Sequence, residues 1–227
     1  MTKFHTGPGL ARALAERDYR DPTPVQLAVL KEENQGRDLL VSAQTGSGKT
    51  IAYGLALEQG VMGGAEKAAR PTTPLALIIA PTRELALQVE RELSWLYHFA
   101  GARIMSCVGG MDARQERRNL ALGAHIIVGT PGRLRDHIER RGLDMSGLRT
   151  IVLDEADEML DLGFREDLEF ILGAAPADRQ TLMFSATMPK GIVMLAKRYQ
   201  RDSLRIEVGH NERGHADIEY RAIRIIP

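Results

Sequence analysis

Short, continuous apolar runs recur along the chain, and most of them end in a cluster of small polar or charged residues followed by a segment of helical periodicity. Leu39-Leu40-Val41 leads through Ser42-Ala43-Gln44-Thr45-Gly46-Ser47-Gly48-Lys49-Thr50 into Ile51–Leu57, and Leu75–Ala80 leads into Pro81-Thr82-Arg83-Glu84-Leu85. Ile126–Val128 leads into Gly129-Thr130-Pro131-Gly132-Arg133, Ile151–Leu153 into Asp154-Glu155-Ala156-Asp157, and Leu182–Phe184 into Ser185-Ala186-Thr187-Met188-Pro189. Apolar runs of this length bounded by turn formers predict strands buried on both faces. With Arg103–Val108 and Leu204–Val208 added, the expected sheet has about seven strands. Strands alternating with helices predict an α/β fold, a mostly parallel sheet with helices on both faces and right-handed crossovers. Upstream, Leu10, Ala13 and Leu14 stand at helical spacing within residues 4–20. Asp21-Pro22-Thr23-Pro24 then breaks the pattern before Val25–Leu30 resumes it, which predicts helix, rigid turn, helix. Gly60–Ala65 and Pro71–Pro74 read as parts of a surface loop.

Strand direction gives those clusters a common location. In an open parallel sheet, ligands bind at the carboxyl ends of the strands, where each cluster falls and where each opens a helix. Helix N-termini gathered on one edge offer N–H donors and positive dipole ends to phosphates. In Thr45-Gly46-Ser47-Gly48-Lys49-Thr50 the glycines allow backbone N–H groups to turn onto phosphate oxygens, Lys49 supplies a point charge and the Thr50 hydroxyl suits Mg²⁺. Ala43 stands where the generic phosphate loop has glycine. An acid ending a buried strand beside such a loop is placed to hold the metal, partly through water, and its neighbour to activate the attacking water. Asp154 takes the first role and Glu155 the second. The remaining clusters are less specific. Ser185-Ala186-Thr187 serves equally as a helix cap, Thr82 and Thr130 are competent caps, and Pro131 suits a first helical position. Arg83 and Arg133 each suit a phosphate or a surface carboxylate, and Gly109-Gly110 marks a turn.

Composition narrows the reading. Lys and Arg together number 30, as do Asp and Glu, so the net charge is zero and any polyanion site must be local. A lone Cys107 in an apolar run reads as a core residue and makes no disulfide, which fits a reducing compartment. The longest apolar run is too short to span a bilayer and the first 20 residues lack a signal-peptide core, so the expected location is cytoplasmic. His210 and His215 lack further ligands for zinc and read as loop residues, while Met159, Met183, Met188 and Met194 read as core filling. Ile51 stands where a dinucleotide-binding fingerprint needs its last glycine, which argues against a nicotinamide enzyme.

Taken in order, these motifs resemble the amino-terminal RecA-like domain of a DEAD-box RNA helicase. Tyr19 with Pro22-Thr23-Pro24-Val25-Gln26 corresponds to that family's Q motif, and Ala43–Thr50, including the alanine, to its phosphate loop. Pro81–Leu85, Gly109-Gly110, Thr130–Arg133, Asp154–Asp157 and Ser185–Thr187 follow in family order. The resemblance implies ATP and Mg²⁺. Tyr19 would stack on adenine, Gln26 would read its edge, and Thr23, Gln44, Thr45, Gly46, Ser47, Gly48, Lys49 and Thr50 would complete the nucleotide site. Pro81, Thr82, Arg83, Gly110, Thr130, Pro131, Gly132 and Arg133 would grip the backbone of one RNA strand, and Asp157, Ser185 and Thr187 would couple hydrolysis to RNA. It also divides the chain into a Q-motif segment (1–34), a RecA-like domain (35–208) and the start of an interdomain linker (209–227). The family's second RecA-like domain, with its arginine fingers, has no counterpart here. The expectation is therefore a monomeric fragment that binds nucleotide without unwinding, half of an RNA-dependent ATPase. An ATP-gated RNA clamp shares the same motifs. A small-molecule kinase is disfavoured because it gives Thr82-Arg83 and Thr130–Arg133 no shared task.

Overall fold

A computed structural model describes residues 4–208. The linker-like segment 209–227, with His210 and His215, lies outside the described residues, as do residues 1–3. Helices α1 (Pro8–Glu16) and α2 (Pro24–Val29) precede strand β1 (Leu39–Ser42), which runs into α3 (Lys49–Ala56) and α4 (Glu58–Met62). The alternation continues through β2 (Ala76–Ile79), α5 (Arg83–Leu96), β3 (Ile104–Cys107), α6 (Ala113–Ala121), β4 (Ile126–Gly129) and α7 (Pro131–Glu139). It closes with β5 (Thr150–Leu153), α8 (Ala156–Asp161), α9 (Arg165–Ala174), β6 (Gln180–Ser185), α10 (Lys190–Tyr199) and β7 (Leu204–Glu207).

The seven strands form one sheet in the order β3-β4-β2-β5-β6-β1-β7, and every adjacent pair is parallel. Alternate residues of each buried strand feed two cores, one on each face. Val41, Ile78, Val128, Val152 and Phe184 pack on one side with residues of α1, α2, α3 and α5. Leu40, Ile79, Ile127, Leu153 and Met183 pack on the other with residues of α7, α8, α9 and α10. This two-sided burial is why the strands read as continuous apolar runs.

Register brings the strand ends level. Ser42 lies opposite Ser185, and Ile79 lies opposite both Gly129 and Leu153. The order also divides the ligand edge. β5, β6 and β1 are neighbours and carry Asp154, Ser185 and the glycine-rich loop, whereas β3, β4 and β2 are neighbours and carry Gly109-Gly110, Thr130 and Thr82.

Two expectations fail locally. Gly60–Met62 lies in helix α4 rather than in a loop, because Val61 and Met62 bury their side chains in the core. Met194 is 62% exposed, on the solvent side of α10, whereas Met159 and Met183 are fully buried. No helix among the described residues is long and apolar enough to cross a membrane.

Candidate functional site

The glycine-rich loop closes on itself and on the acidic cluster. Gly46 and Gly48 take positive φ (79° and 92°), and the Ser47 hydroxyl donates to Gln44 O at 2.7 Å. Lys49 opens α3, is 6% exposed, and directs its ammonium between Ala43 O (3.4 Å) and a Glu155 carboxylate oxygen (3.9 Å). Thr45 donates to the same Glu155 oxygen at 3.2 Å. Glu155 holds a left-handed backbone (φ 52°, ψ 53°) at the start of α8, a conformation that costs a non-glycine residue about 1–2 kcal/mol. The strained turn aims its carboxylate at the loop, so that Lys49 and Glu155 face one another directly.

Asp154 is buried, with Oδ2 accepting from the Tyr53 hydroxyl at 3.0 Å and Oδ1 without any partner. Burial pushes its carboxyl up to about 6 against the pull of Lys49 and the Tyr53 hydrogen bond. The Thr50 hydroxyl lies beside the Tyr53 hydroxyl and favours its ionised form, so Thr50, Tyr53 and Asp154 cluster their oxygens. Two hard oxygen donors, one of them an orphaned buried carboxylate oxygen, form a donor set that suits Mg²⁺. Tyr53 escaped the sequence reading, although it lies four residues after Lys49 and so one helical turn along the same face.

The Q-motif segment straps the loop from behind. Thr23 and Gln26 form a reciprocal capping box at α2, and each has a second bond to the loop. Thr23 Oγ1 donates to Ser47 O (2.9 Å) and Gln26 Nε2 to Gly48 O (3.2 Å). A Cβ on Gly48 would stand 2.7 Å from Gln26 Nε2, so this approach requires glycine on space as well as on φ. Tyr19 packs against Trp95 of α5, with ring centroids 5.6 Å apart.

Asp157, Ser185 and Thr187 meet across α8 and the end of β6. Asp157 accepts from Thr187 N (2.9 Å) and Thr187 Oγ1 (2.7 Å), and the Ser185 hydroxyl accepts from Asp157 N (3.3 Å) while donating to Thr187 O (2.6 Å). Burial opposes ionisation of Asp157, but these hydrogen bonds outweigh it and hold the carboxyl below its ordinary range.

On the other half of the edge, Thr82 caps α5 and Thr130 caps α7 with its hydroxyl uncommitted to a cap bond. Gly110 (φ 78°) lies so near Arg83 that a Cβ would stand 2.8 Å from a guanidinium nitrogen, while a Cβ on Gly132 would meet open space. Arg133 lies behind this surface, paired with Glu116 at 3.2 Å. Cys107, Glu116 and His137 bring three potential ligand atoms within 4.8 Å. They do not suit a metal. His137 Nε2 and Arg133 already share one Glu116 oxygen, and burial pushes the Cys107 thiol up to about 12. Glu116 and His137 also went unnoticed in the sequence, since both sit among charged residues that read as solvated helix faces.

Comparison with known proteins identifies the family. A sequence model described as DEAD/DEAH box helicase matches residues 23–195. The chain belongs to that family. This DEAD-box chain is 40% identical over 218 residues to the DEAD-box ATP-dependent RNA helicase CshA of Bacillus licheniformis, covering 95% of the chain and 43% of the relative. It is 41% identical to the DEAD-box ATP-dependent RNA helicase 9 of Oryza sativa subsp. japonica, covering 96% of the chain and 34% of that protein. The crystal structure of a DEAD box protein from Methanococcus jannaschii superposes with a TM-score of 0.79 at 34% identity, over 92% of this chain and 56% of that one. The DEAD-box chain thus spans under half the length of the curated relatives it matches here.

Proposed function

We propose that the chain is the ATP-binding half of an RNA-dependent ATPase that remodels RNA locally. The observation that carries this reading is the meeting of Lys49, Thr45 and Glu155 beside a buried Asp154 whose Oδ1 has no partner. Lys49 and the loop N–H groups bind the β- and γ-phosphates. Entry of the γ-phosphate replaces the Lys49–Glu155 contact and frees Glu155 to orient and deprotonate the attacking water. Asp154, held by Tyr53, and Thr50 would hold Mg²⁺, which supplies charge neutralisation at the phosphates. Gln26 has one amide hydrogen and one oxygen lone pair beyond the bonds described, enough to meet an adenine edge, with Tyr19 providing the stacking ring.

RNA lies across the neighbouring half of the edge. Pro81, Thr82, Arg83, Gly110, Thr130, Pro131 and Gly132 line it, and Arg133 stands behind them. The helix N-termini of α5 and α7 and the Arg83 guanidinium favour phosphates without reading bases, which makes recognition sequence-tolerant. An arginine finger is worth on the order of 10³–10⁵ in rate to the P-loop enzymes that use one. A second RecA-like domain would supply it, so this chain alone binds ATP, hydrolyses it slowly and does not unwind duplexes.

Equilibrium titration with fluorescent ATP and Mg²⁺ tests the reading. Lys49→Ala abolishes binding through loss of the phosphate charge, and Gln26→Ala narrows the preference for ATP over GTP. Unchanged affinity in the first variant would refute the phosphate site, and unchanged preference in the second would refute the adenine contact.

A further inference from the structure

Glu116 is the sole acid within α6, and instead of facing solvent it is buried between three elements. Its Oε1 accepts from Val108 N at 3.1 Å, at the end of β3. Its Oε2 receives Arg133 Nη1 at 3.2 Å and His137 Nε2 at 2.6 Å, both from α7. Arg133 then reaches back with Nη2 to Met111 O at 3.0 Å, in the turn that follows Gly109-Gly110. Only 14% of the Arg133 side chain and 5% of the Glu116 side chain are exposed.

One ion pair therefore fixes three backbone points: the strand end before the Gly109-Gly110 turn, the turn itself, and the first turn of α7 behind Thr130, Pro131 and Gly132. Those are two of the three segments assigned above to RNA. A guanidinium forks well between a carboxylate and a carbonyl, and with both ends engaged and little surface exposed it has poor access to an incoming phosphate.

We infer that Glu116 and Arg133 are positioning residues for RNA, a buried clasp that sets the spacing between the Gly110 turn and the Thr130–Gly132 loop. The inference rests on the RNA reading above and deepens it. Arg133 contributes to affinity through geometry, and Arg83 contributes through charge.

Salt dependence separates the two roles, because removing one phosphate ligand of a single strand lowers the slope of log K against log salt by about 0.7. Labelled single-stranded RNA is titrated into the chain at several salt concentrations, alongside ATP titration and thermal unfolding. Removing one member of a buried pair leaves the other charge uncompensated, so the informative variant replaces both, Glu116→Leu with Arg133→Met. Its unfolding midpoint falls, because Val108 N and His137 lose their acceptor, but the chain still folds cooperatively and its ATP affinity stays within about twofold, while RNA binds about tenfold more weakly at an unchanged salt slope. Arg133→Lys, which keeps the charge but loses the fork, also weakens RNA severalfold. Glu116→Gln, whose one amide oxygen can stand in for only one of the two carboxylate oxygens and whose NH2 then meets either Val108 N or Arg133, also weakens RNA severalfold at an unchanged salt slope, and full RNA affinity in it would overturn the clasp. Arg83→Ala, the comparator, lowers the slope by about 0.7.

Full RNA affinity in Arg133→Lys, or a slope lowered by about 0.7 in the double variant, would make Arg133 a phosphate ligand and overturn the clasp. If the double variant does not fold, Arg133→Lys and Glu116→Gln decide the matter by themselves. If the unaltered chain binds no RNA at any salt, the RNA reading itself fails and this inference falls with it.

Discussion

Asp154 sits where folding and function pull in opposite directions. Its carboxyl titrates at about 6 in the folded chain against an ordinary value of 3.8, because burial disfavours the charged form more than Lys49 and Tyr53 favour it. The folded state therefore holds its proton to higher pH than the unfolded state does. Stability from this group is full below the unfolded value, declines as pH rises through the interval between the two values, and stays low above the folded one. That interval corresponds to about 3 kcal/mol at most. Asp154→Asn, which cannot ionise, stabilises the metal-free chain at pH 8 by about 2 kcal/mol, a rise of roughly 4–8 °C in the unfolding midpoint, and by much less at pH 4. Thermal melts at both pH values in a chelator check this, and equal gains at the two would refute the buried-charge account. On the proposed metal site, the same variant loses the Mg²⁺ dependence of ATP affinity, since the oxygen left unpartnered in the folded chain is the one that site would offer to the cation.

The glycine-rich loop depends on an element remote from it in sequence, the short helix α2. Six residues make a weak helix in isolation, and its capping box and leading Pro24 hold it in place. The cap is also the loop's strap, because the Thr23 hydroxyl that caps α2 donates to Ser47 O. Thr23→Ala removes both, costing about 1–2 kcal/mol of stability and weakening ATP several-fold, whereas Thr23→Ser retains most of each. Calorimetric ATP titration and thermal melts of the two variants check the pairing, and a Thr23→Ala chain with normal ATP affinity would show that the strap is idle. Elements of this kind also explain what the sequence discloses. The strands were legible because burial on both faces leaves unbroken apolar runs, and the chemical clusters because each ends such a run. The Asp157–Thr187 contact was legible only through the family, since nothing in the spacing of those residues distinguishes a cap from a coupling bond. Tyr53 and Glu116 were not legible. A hydroxyl aimed at a carboxylate and an acid buried among arginines of α6 depend on how helices pack against the strand ends, which local pattern does not encode. The helix at Gly60–Met62 was hidden for a related reason, its glycine-rich composition being overruled by tertiary burial of Val61 and Met62.

Across the whole sheet, the half of the edge proposed for ATP and the half proposed for RNA meet at the seam between β5 and β2. That seam is a parallel ladder joined at its end by Asp154 N to Ile79 O at 2.9 Å. Among the described residues, no side-chain hydrogen bond links the loops of Lys49, Asp154, Glu155, Asp157, Ser185 or Thr187 to those of Thr82, Arg83, Gly110 or Thr130. Asp157 and Thr187 brace each other wholly within the ATP half. The seam is a buried parallel ladder with no such side-chain link between the two sets of loops, whereas coupling free energy requires two states that the ligands bind unequally. The prediction is that ATP and Mg²⁺ change the RNA affinity of this chain by less than about threefold, or roughly 0.6 kcal/mol, and by linkage that RNA changes ATP affinity equally little. Anisotropy titrations of RNA with and without saturating nucleotide measure the first quantity, and nucleotide titrations with and without RNA measure the second. The reciprocal pair must agree for the measurement to stand. Tenfold coupling in both directions would place the allosteric element inside this sheet, with Asp157 and Thr187 the first residues to test. Weak coupling would assign it to contacts the chain makes across its ligand edge, where both sets of loops face outward together.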